Sequence, residues 1–136
     1  MLFGSSGIRR RFDQTLIDTA FRVGNVLAAG SSEVILGMDT RTTSPLLSYI
    51  VISGIMSNGG TAQVAGIVPT PTVAFSSRFT TSGCMITASH NPEEYNGIKL
   101  FNPDGSSFTG AAAGDRGCTI FPYVFRLAAS WEGVYS

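Results

Sequence analysis

The sequence is poor in charged residues. Only 13% of its 136 residues are charged, and the nine basic and nine acidic side chains give a formal net charge of zero. That is roughly half of the ~25% charged residues typical of soluble domains. Proteins that bind nucleic acids or membrane surfaces through general electrostatics need an excess of positive charge. We therefore expect neither a nucleic acid nor a membrane as a partner.

Long apolar runs are also missing. No charged residue occurs between Thr42 and Ser77, but prolines, glycines and polar residues interrupt this stretch. No apolar run approaches the ~20 residues that a membrane-spanning helix needs. We interpret the stretch as a buried helix followed by a buried strand. The first residues lack the pattern of a secretory signal peptide, so we expect a cytoplasmic location.

Cysteine and histidine are scarce. Cys84 and Cys118 stand 34 positions apart without a CxxC motif, which predicts two free, buried thiols in a reducing compartment. His90 is the single histidine, and no cluster of side chains has the spacing of metal ligands. No GxSxG motif is present either. The sequence therefore gives little support to a metal site built from side chains alone, or to a Ser-His-Asp hydrolase.

Apolar patterns of strand and helix alternate along the chain. Helical patterns cover residues 13–29, 44–57 and 72–79, and strand patterns cover residues 33–38, 61–68, 84–88 and 98–101. Thr15 and Asp18 suit a capping box at the first helix, and Ser44 an N-cap at the second. This order predicts an α/β fold with a mostly parallel sheet. The last two strands should be antiparallel, because a short loop cannot carry a parallel crossover.

Polar segments follow three of the predicted strands. These segments are Asp39-Thr40-Arg41, Pro69-Thr70-Pro71 and Ser89-His90-Asn91-Pro92. Ligands gather at the carboxyl ends of strands in open α/β sheets. Ser89 is the candidate nucleophile, and serine needs a base or an electrophilic partner to react. Lys99, the single lysine, returns toward the same edge on the face opposite its neighbour Ile98.

The N-terminal segment Gly4-Ser5-Ser6-Gly7-Ile8-Arg9 combines small residues, backbone amides and an arginine fork, which suit a phosphate. An ordinary glycine loop has the same appearance. Asp39 and Arg41 would equally suit an exposed ion pair, and the run Arg9-Arg10-Arg11 a solvated patch. No single segment decides the function.

Five motifs together do carry a resemblance. They are Gly4-Ser5-Ser6-Gly7-Ile8-Arg9, Gly37-Met38-Asp39-Thr40-Arg41, Gly66-Ile67-Val68-Pro69-Thr70-Pro71-Thr72, Thr87-Ala88-Ser89-His90-Asn91-Pro92 and Asn96-Gly97-Ile98-Lys99. Their order and spacing resemble the α-D-phosphohexomutases, the superfamily of phosphomannomutase, phosphoglucomutase and phosphoglucosamine mutase, and most of all its archaeal branch. The resemblance implies a three-layer α/β/α domain with a mixed, mostly parallel sheet over residues 1–109.

The resemblance also implies an isomerase reaction and its residues. Ser89 would carry a phosphate and exchange it with a hexose phosphate through a sugar bisphosphate intermediate, so that 1-phosphate and 6-phosphate interconvert. The phosphate on Ser89 would be one ligand of Mg²⁺. The remaining roles would fall to Lys99 and Arg9 for the hydroxyl proton and the phosphoryl charge, His90 and Asn91 for hydrogen bonding in the site, and Ser6, Asp39 and Arg41 for phosphate or substrate binding.

Residues 110–136 depart from this family. They lack the glutamate-rich helix and the aspartate-rich metal loop that would follow in it. Our hypothesis is that this tail comes from an altered reading frame or a truncation. Three functions remain open: a phosphoserine domain with little activity alone, a mutase completed by missing domains on another chain, or a non-catalytic phosphate- or partner-binding module.

Overall fold

The computed structural model describes residues 7–30 and 33–108. In this part of the chain, five strands alternate with three α-helices. In chain order they are β1 Ile8–Arg11, α1 Gln14–Gly30, β2 Glu33–Met38, α2 Ser44–Ser57, β3 Thr61–Ile67, α3 Thr70–Ser76, β4 Ser82–Ile86 and β5 Tyr95–Phe101, and a short 3₁₀ turn, Ser77–Phe79, follows α3. The predicted tail 110–136, its boundary at residue 109, Cys118 and Ser6 lie outside the described residues.

The strands form one mixed sheet in the order β1-β5-β4-β2-β3. Strands β4, β2 and β3 are parallel to one another, whereas β5 runs antiparallel to both β4 and β1. The predicted α/β class and the antiparallel pairing of the last two strands are therefore confirmed. The parallel strands all end at one edge of the sheet, which lines up the loops that follow them.

Two hydrophobic cores lie on opposite faces of the sheet. The larger core joins α1 and α2 to the sheet through Leu16, Leu27, Leu47, Ile55, Ile86 and Leu100, among others. The smaller core lies under α3 and consists of Ile35, Val73, Met85 and Phe101. The arrangement has three layers, with α1 and α2 on one face and α3 on the other.

Helices α1 and α2 cross at two glycines. A Cβ added to Gly24 would clash with the carbonyl oxygen of Val51, and one added to Gly54 would clash with that of Phe21. Both glycines are therefore needed for the two backbones to approach this closely.

The helix starts differ from those predicted. Asp13, and neither Thr15 nor Asp18, caps α1, because its Oδ1 accepts the backbone N–H of Leu16 at 2.9 Å. Helix α2 already includes Ser44 and is preceded by Thr43 at the cap position, where no side chain bonds the helix. The Ser44 hydroxyl donates instead to a carboxylate outside the helix.

Strand boundaries shift as well. Residues 8–11, expected as part of a glycine loop and a basic patch, form β1 because they pair with β5. Strand β5 begins at Tyr95, three residues before the prediction. Strand β4 covers 82–86 instead of 84–88, and α3 begins at Thr70 instead of Thr72.

The prediction of a buried strand after the uncharged helix is wrong. Strand β3 is the edge strand, and Val64 and Ile67 are each 61% exposed. The outer face of α2 is also exposed, at Leu46, Tyr49 and Met56. Low charge along residues 42–77 therefore does not correspond to full burial. No helix in the described ranges is long and apolar enough to cross a membrane.

Candidate active site

Two loops meet at the carboxyl edge of the sheet, one after β2 and one after β4. The N–H of Asp39 bonds to the carbonyl of Ile86 at 3.0 Å, and the N–H of Thr87 bonds to the carbonyl of Gly97 at 3.0 Å. These bonds extend the strand pairing past the ends of β2 and β4. The two loops thus start from fixed positions on adjacent strands.

Ser89 occupies the exposed tip of the loop after β4. Its φ of 53° makes it the single non-glycine residue with positive φ in the described part of the chain. Its N–H donates to the Thr87 hydroxyl at 3.0 Å, and the N–H of Asn91 donates to the carbonyl of Ala88 at 3.0 Å. Left-handed backbone at a non-glycine residue costs about 1–3 kcal/mol and persists only where neighbouring contacts hold it.

Arg41 supplies those contacts. Its guanidinium donates to four backbone carbonyls of the loop after β4: Ser89 at 3.1 Å, Asn91 at 2.7 Å, Pro92 at 2.7 Å and Tyr95 at 3.1 Å. Its side chain is only 9% exposed. A single, largely buried cation therefore fixes the loop that carries Ser89 to the end of β2.

Asp39 orients this arginine. One carboxylate oxygen accepts the Arg41 backbone N–H at 3.0 Å and the Ser44 hydroxyl at 2.5 Å, and the other accepts Arg41 Nε at 3.3 Å. Behind it, the buried Asn96 amide donates to the hydroxyls of Thr43 at 2.8 Å and Ser44 at 3.0 Å. The start of α2 and the start of β5 are thereby joined in one polar network.

Arg9 and Lys99 lie on the face of the sheet that α3 covers, opposite the face covered by α1 and α2. Arg9 pairs with Gly97 and Lys99 pairs with Met85, and paired residues of antiparallel strands share a face. Since Gly97 and Lys99 are two residues apart on β5, both cations lie on the same face as Met85 of the smaller core. The predicted placement of Lys99 opposite Ile98 is confirmed.

Arg9 reaches the loop of Ser89. Its Nη1 donates to Asn91 Oδ1 at 3.4 Å, a long hydrogen bond. Lys99 Nζ lies 5.7 Å from the ring centroid of Phe101, which places the amine over an aromatic face. Arg9 thus brings positive charge to the Ser89 loop from the α3 face of the sheet. The Asp39–Arg41 pair contacts the same loop from the end of β2.

The expected residues do not all meet. Arg9, Asp39, Arg41, Ser89 and Asn91 come together at one edge, with Lys99 on the adjoining strand. His90 is exposed next to Ser89, and among the described residues no hydrogen bond or ion pair joins the side chain of Ser89 to His90 or to Lys99. The substrate contacts predicted for Asp39 and Arg41 stay predictions, and the polar atoms of both side chains face protein groups.

Sequence reasoning did not find the supporting residues. Thr43, Ser44, Thr87 and Asn96 hold the network or the Ser89 turn, but hydroxyl groups near strand ends are too common to be distinctive. Asn96 was identified only as the first residue of the motif Asn96-Gly97-Ile98-Lys99. The structure buries Asn96 completely at the start of β5, and its sequence motif does not indicate that burial.

The donor set does not complete a magnesium site. Among residues 7–30 and 33–108, no three His, Cys, Asp or Glu side chains lie together as ligands of a metal ion would. Both Asp39 oxygens already accept hydrogen bonds. A phosphate on Ser89 would offer one oxygen ligand, so the described residues alone do not fit Mg²⁺.

Comparison with known proteins relates this chain to a family. The family model for phosphoglucomutase/phosphomannomutase, alpha/beta/alpha domain I, matches residues 1–114. The phosphoglucosamine mutase of Methanococcus vannielii has 47% sequence identity to this chain, and that of Methanocaldococcus jannaschii has 48%. Each alignment covers 79% of this chain. The matched part is 24% and 23% of those proteins, so the chain spans about a quarter of their length.

The fold is found among solved structures as well. A phosphoglucomutase/phosphomannomutase family protein from Burkholderia thailandensis superimposes on 96% of this chain with a TM-score of 0.73. The identity is 24% and the match covers 30% of that protein, so this likeness concerns the fold alone. Since the family model covers most of the chain, we conclude that the chain belongs to the phosphoglucomutase/phosphomannomutase family and contains its α/β/α domain I.

Proposed function

We propose that this chain is the phosphoserine domain of a mutase that interconverts the 1-phosphate and 6-phosphate of a hexose. The observation that carries the proposal is the backbone of Ser89. Ser89 has a left-handed backbone conformation and is exposed at the tip of its loop. The largely buried Arg41 holds this loop by hydrogen bonds to its carbonyls. Strain held at an exposed nucleophile is a mark of a functional site, because nothing in the core requires it.

The proposed step is transfer of a phosphoryl group from Ser89 to a sugar hydroxyl. A bond forms between the sugar oxygen and phosphorus, the bond from phosphorus to Ser89 Oγ breaks, and the proton of the sugar hydroxyl ends on Ser89 Oγ, which leaves as a hydroxyl. Lys99 and Arg9 handle the proton and the charge of the transferred group, since phosphoryl transfer depends on positioning and on charge stabilisation. The reverse step from the other phosphate of the bisphosphate returns Ser89 to its phosphorylated form.

The remaining site residues have supporting roles in this proposal. His90 and Asn91 hydrogen-bond and shape the site, and the Arg9–Asn91 contact supports such a role for Asn91. Ser6 and Asp39 contribute to phosphate or substrate binding. Mg²⁺ would take a phosphate oxygen of Ser89 and further ligands from outside the described residues.

The sugar is proposed from the relatives. Both archaeal relatives above are phosphoglucosamine mutases, so a hexosamine phosphate is the first substrate to try. Because the chain spans about a quarter of their length, we propose that turnover requires domains beyond the one described. The cytoplasmic location expected from the sequence stays a prediction.

Intact-mass measurement tests the carrier role. After incubation of the chain with a hexose 1,6-bisphosphate, one phosphate adds about 80 Da. We expect this increase in wild type and in Ser53→Ala, a control on an exposed helix position, and not in Ser89→Ala. Phosphate uptake by Ser89→Ala would overturn the assigned nucleophile.

A coupled assay separates the mutase from a binding module. Conversion of a hexosamine 1-phosphate to the 6-phosphate is measured for the chain alone and with the remaining domains of an archaeal phosphoglucosamine mutase. Turnover in the mixture that disappears with Ser89→Ala supports the mutase. Tight binding of the sugar phosphate without phosphate uptake or turnover would favour the non-catalytic phosphate-binding module.

A further inference from the structure

Arg41 has no N–H group left for a ligand. A guanidinium carries five N–H donors. Nε donates to Asp39, Nη1 to the carbonyls of Pro92 and Tyr95, and Nη2 to the carbonyls of Ser89 and Asn91. All five donors of a side chain that is only 9% exposed are thus directed at protein acceptors.

The acceptors span the loop from Ser89 to the start of β5. They begin at the carbonyl of Ser89 itself and end at Tyr95, the first residue of β5. Four carbonyl oxygens converge on one planar cation, and carbonyl dipoles pointed at one another would repel without it. The cation therefore sets the path of the loop between β4 and β5.

Asp39 makes this arrangement specific for arginine. Its carboxylate accepts both the backbone N–H and Nε of Arg41, which fixes the plane of the guanidinium. A lysine carries three donors on a single tetrahedral nitrogen and cannot bond four carbonyls spread over two edges of a plane. The site requires the planar fork as well as the charge.

We propose that Arg41 is a positioning residue that holds Ser89 in its left-handed conformation for phosphoryl transfer, in place of the phosphate contact expected from the sequence. The proposal rests on the proposed function, since the position of Ser89 affects catalysis only if Ser89 carries the phosphate. Arg41 acts through the loop carbonyls and touches neither substrate nor phosphate.

Hydrogen exchange of backbone amides tests the loop without any substrate. The amides of Ser89 and Asn91 are bonded within the loop, whereas those of β2 and β4 belong to the sheet. We expect Arg41→Ala to speed exchange at Ser89 and Asn91 at least about tenfold and to leave the β2 and β4 amides unchanged. Unchanged exchange in the loop would overturn the proposal.

Phosphate transfer from a hexose 1,6-bisphosphate gives the second readout. We expect Arg41→Ala to slow the maximal rate of Ser89 phosphorylation on the order of 10²-fold, as when a reacting group is displaced by about 1 Å. The half-saturating concentration of the bisphosphate should stay within about threefold, because no interaction with the ligand is lost. A rise in that concentration as large as the loss of rate would instead assign Arg41 to phosphate binding.

Matched variants complete the experiment. Arg78→Ala also removes an arginine that donates to a loop carbonyl, that of Asp104, and should leave both readouts unchanged.

Arg41→Lys covers the case in which Arg41→Ala does not fold, and we expect it to show the same faster exchange and slower transfer. Added guanidinium ion, below denaturing concentration, should restore part of the rate in Arg41→Ala. Full function in Arg41→Lys would refute the need for the planar fork.

The two hypotheses fail in different ways. If wild type takes up no phosphate while Arg41→Ala still loosens the loop, the proposed function fails and the control of the loop by Arg41 stands. If wild type takes up phosphate and both Arg41 variants match it in exchange and rate, the positioning role fails and the proposed function stands.

Discussion

Asp13 illustrates how much one carboxylate contributes at the start of a helix. Its Oδ1 accepts the Leu16 N–H, and its Oδ2 pairs with Arg10 Nη2 at 2.9 Å. Burial by itself raises the pKa of Asp13, but the Leu16 hydrogen bond and the Arg10 guanidinium outweigh it, and the pKa falls below its ordinary value. The charged form is therefore favoured in the folded chain.

The sign of the pH dependence follows from that shift. Because the folded pKa is lowered, the contribution of Asp13 to stability is present above its unfolded pKa, near 3.8, and is lost as the pH falls through the lower folded pKa. We expect Asp13→Ala to lower the free energy of unfolding by about 1 kcal/mol at pH 7, through loss of the cap. Urea unfolding at pH 7 and at pH 3 measures both effects.

Asp13→Asn is the control that separates charge from capping. Asparagine also caps helices well. Asp13→Asn should therefore stay close to wild type at pH 7 and lose less stability on acidification. Equal pH dependence of wild type and Asp13→Asn would contradict the role assigned to the charge.

The limits of prediction are visible at Arg41. The sequence identified its proximity to the Ser89 loop, because both follow parallel strands of one sheet. It could not identify the partners of the guanidinium, because four of them are backbone carbonyls, which every residue has. Side-chain identity carries no information about such acceptors, so only the path of the chain reveals the role.

Individual elements follow the local pattern where packing agrees with it. Helix α1 has clear apolar periodicity and strand β2 a short apolar run, and their predicted ranges differ from the observed ones by a residue or less at each end. Strand β1 has no such pattern, because three of its four residues are arginines. Its conformation comes from pairing with β5, about ninety positions away, which local propensity does not contain.

The contact between α1 and α2 is predicted to be sensitive to a single methyl group. Alanine favours a helix over glycine by about 1 kcal/mol, but at Gly24 or Gly54 its Cβ would meet a carbonyl oxygen of the facing helix. We expect Gly54→Ala to lower the free energy of unfolding by about 1–3 kcal/mol, the usual cost of overpacking. Urea denaturation followed by circular dichroism measures this difference.

Ser53→Ala provides the comparison on the same helix. Ser53 is exposed one residue before Gly54, and surface changes of this kind alter stability by less than about 0.5 kcal/mol. If Gly54→Ala proved as stable as Ser53→Ala, the helices would not approach as closely as described.

At the scale of the whole molecule, the reactivity of the Cys84 thiol measures how often the sheet opens. It lies on β4 between Leu36 and Leu100 on the neighbouring strands, and it is fully buried. The predicted free, buried thiol is confirmed for this cysteine. Burial raises its pKa to about 12, so the reactive thiolate is scarce at neutral pH.

Thiol labelling at pH 8 follows from this position. In a Cys118→Ser background, we expect Cys84 to react at least about 10³-fold more slowly than an exposed thiol, because labelling requires the sheet to open. A cysteine introduced by Ser53→Cys, with Cys84→Ser and Cys118→Ser, serves as the exposed reference. Similar rates for the two thiols would mean that β4 opens locally.

The pairing of β1 with β5 also orders events during synthesis. Ile8 and Ile98 are register partners, so β1 finds its partner only after nearly all of the described chain has left the ribosome. Until then, β2, β3 and β4 can assemble without β1 or β5. Arg9 and Lys99 arrive on the sheet through the same late pairing, so a nascent chain cannot acquire the cationic face of the Ser89 site before its sheet is complete.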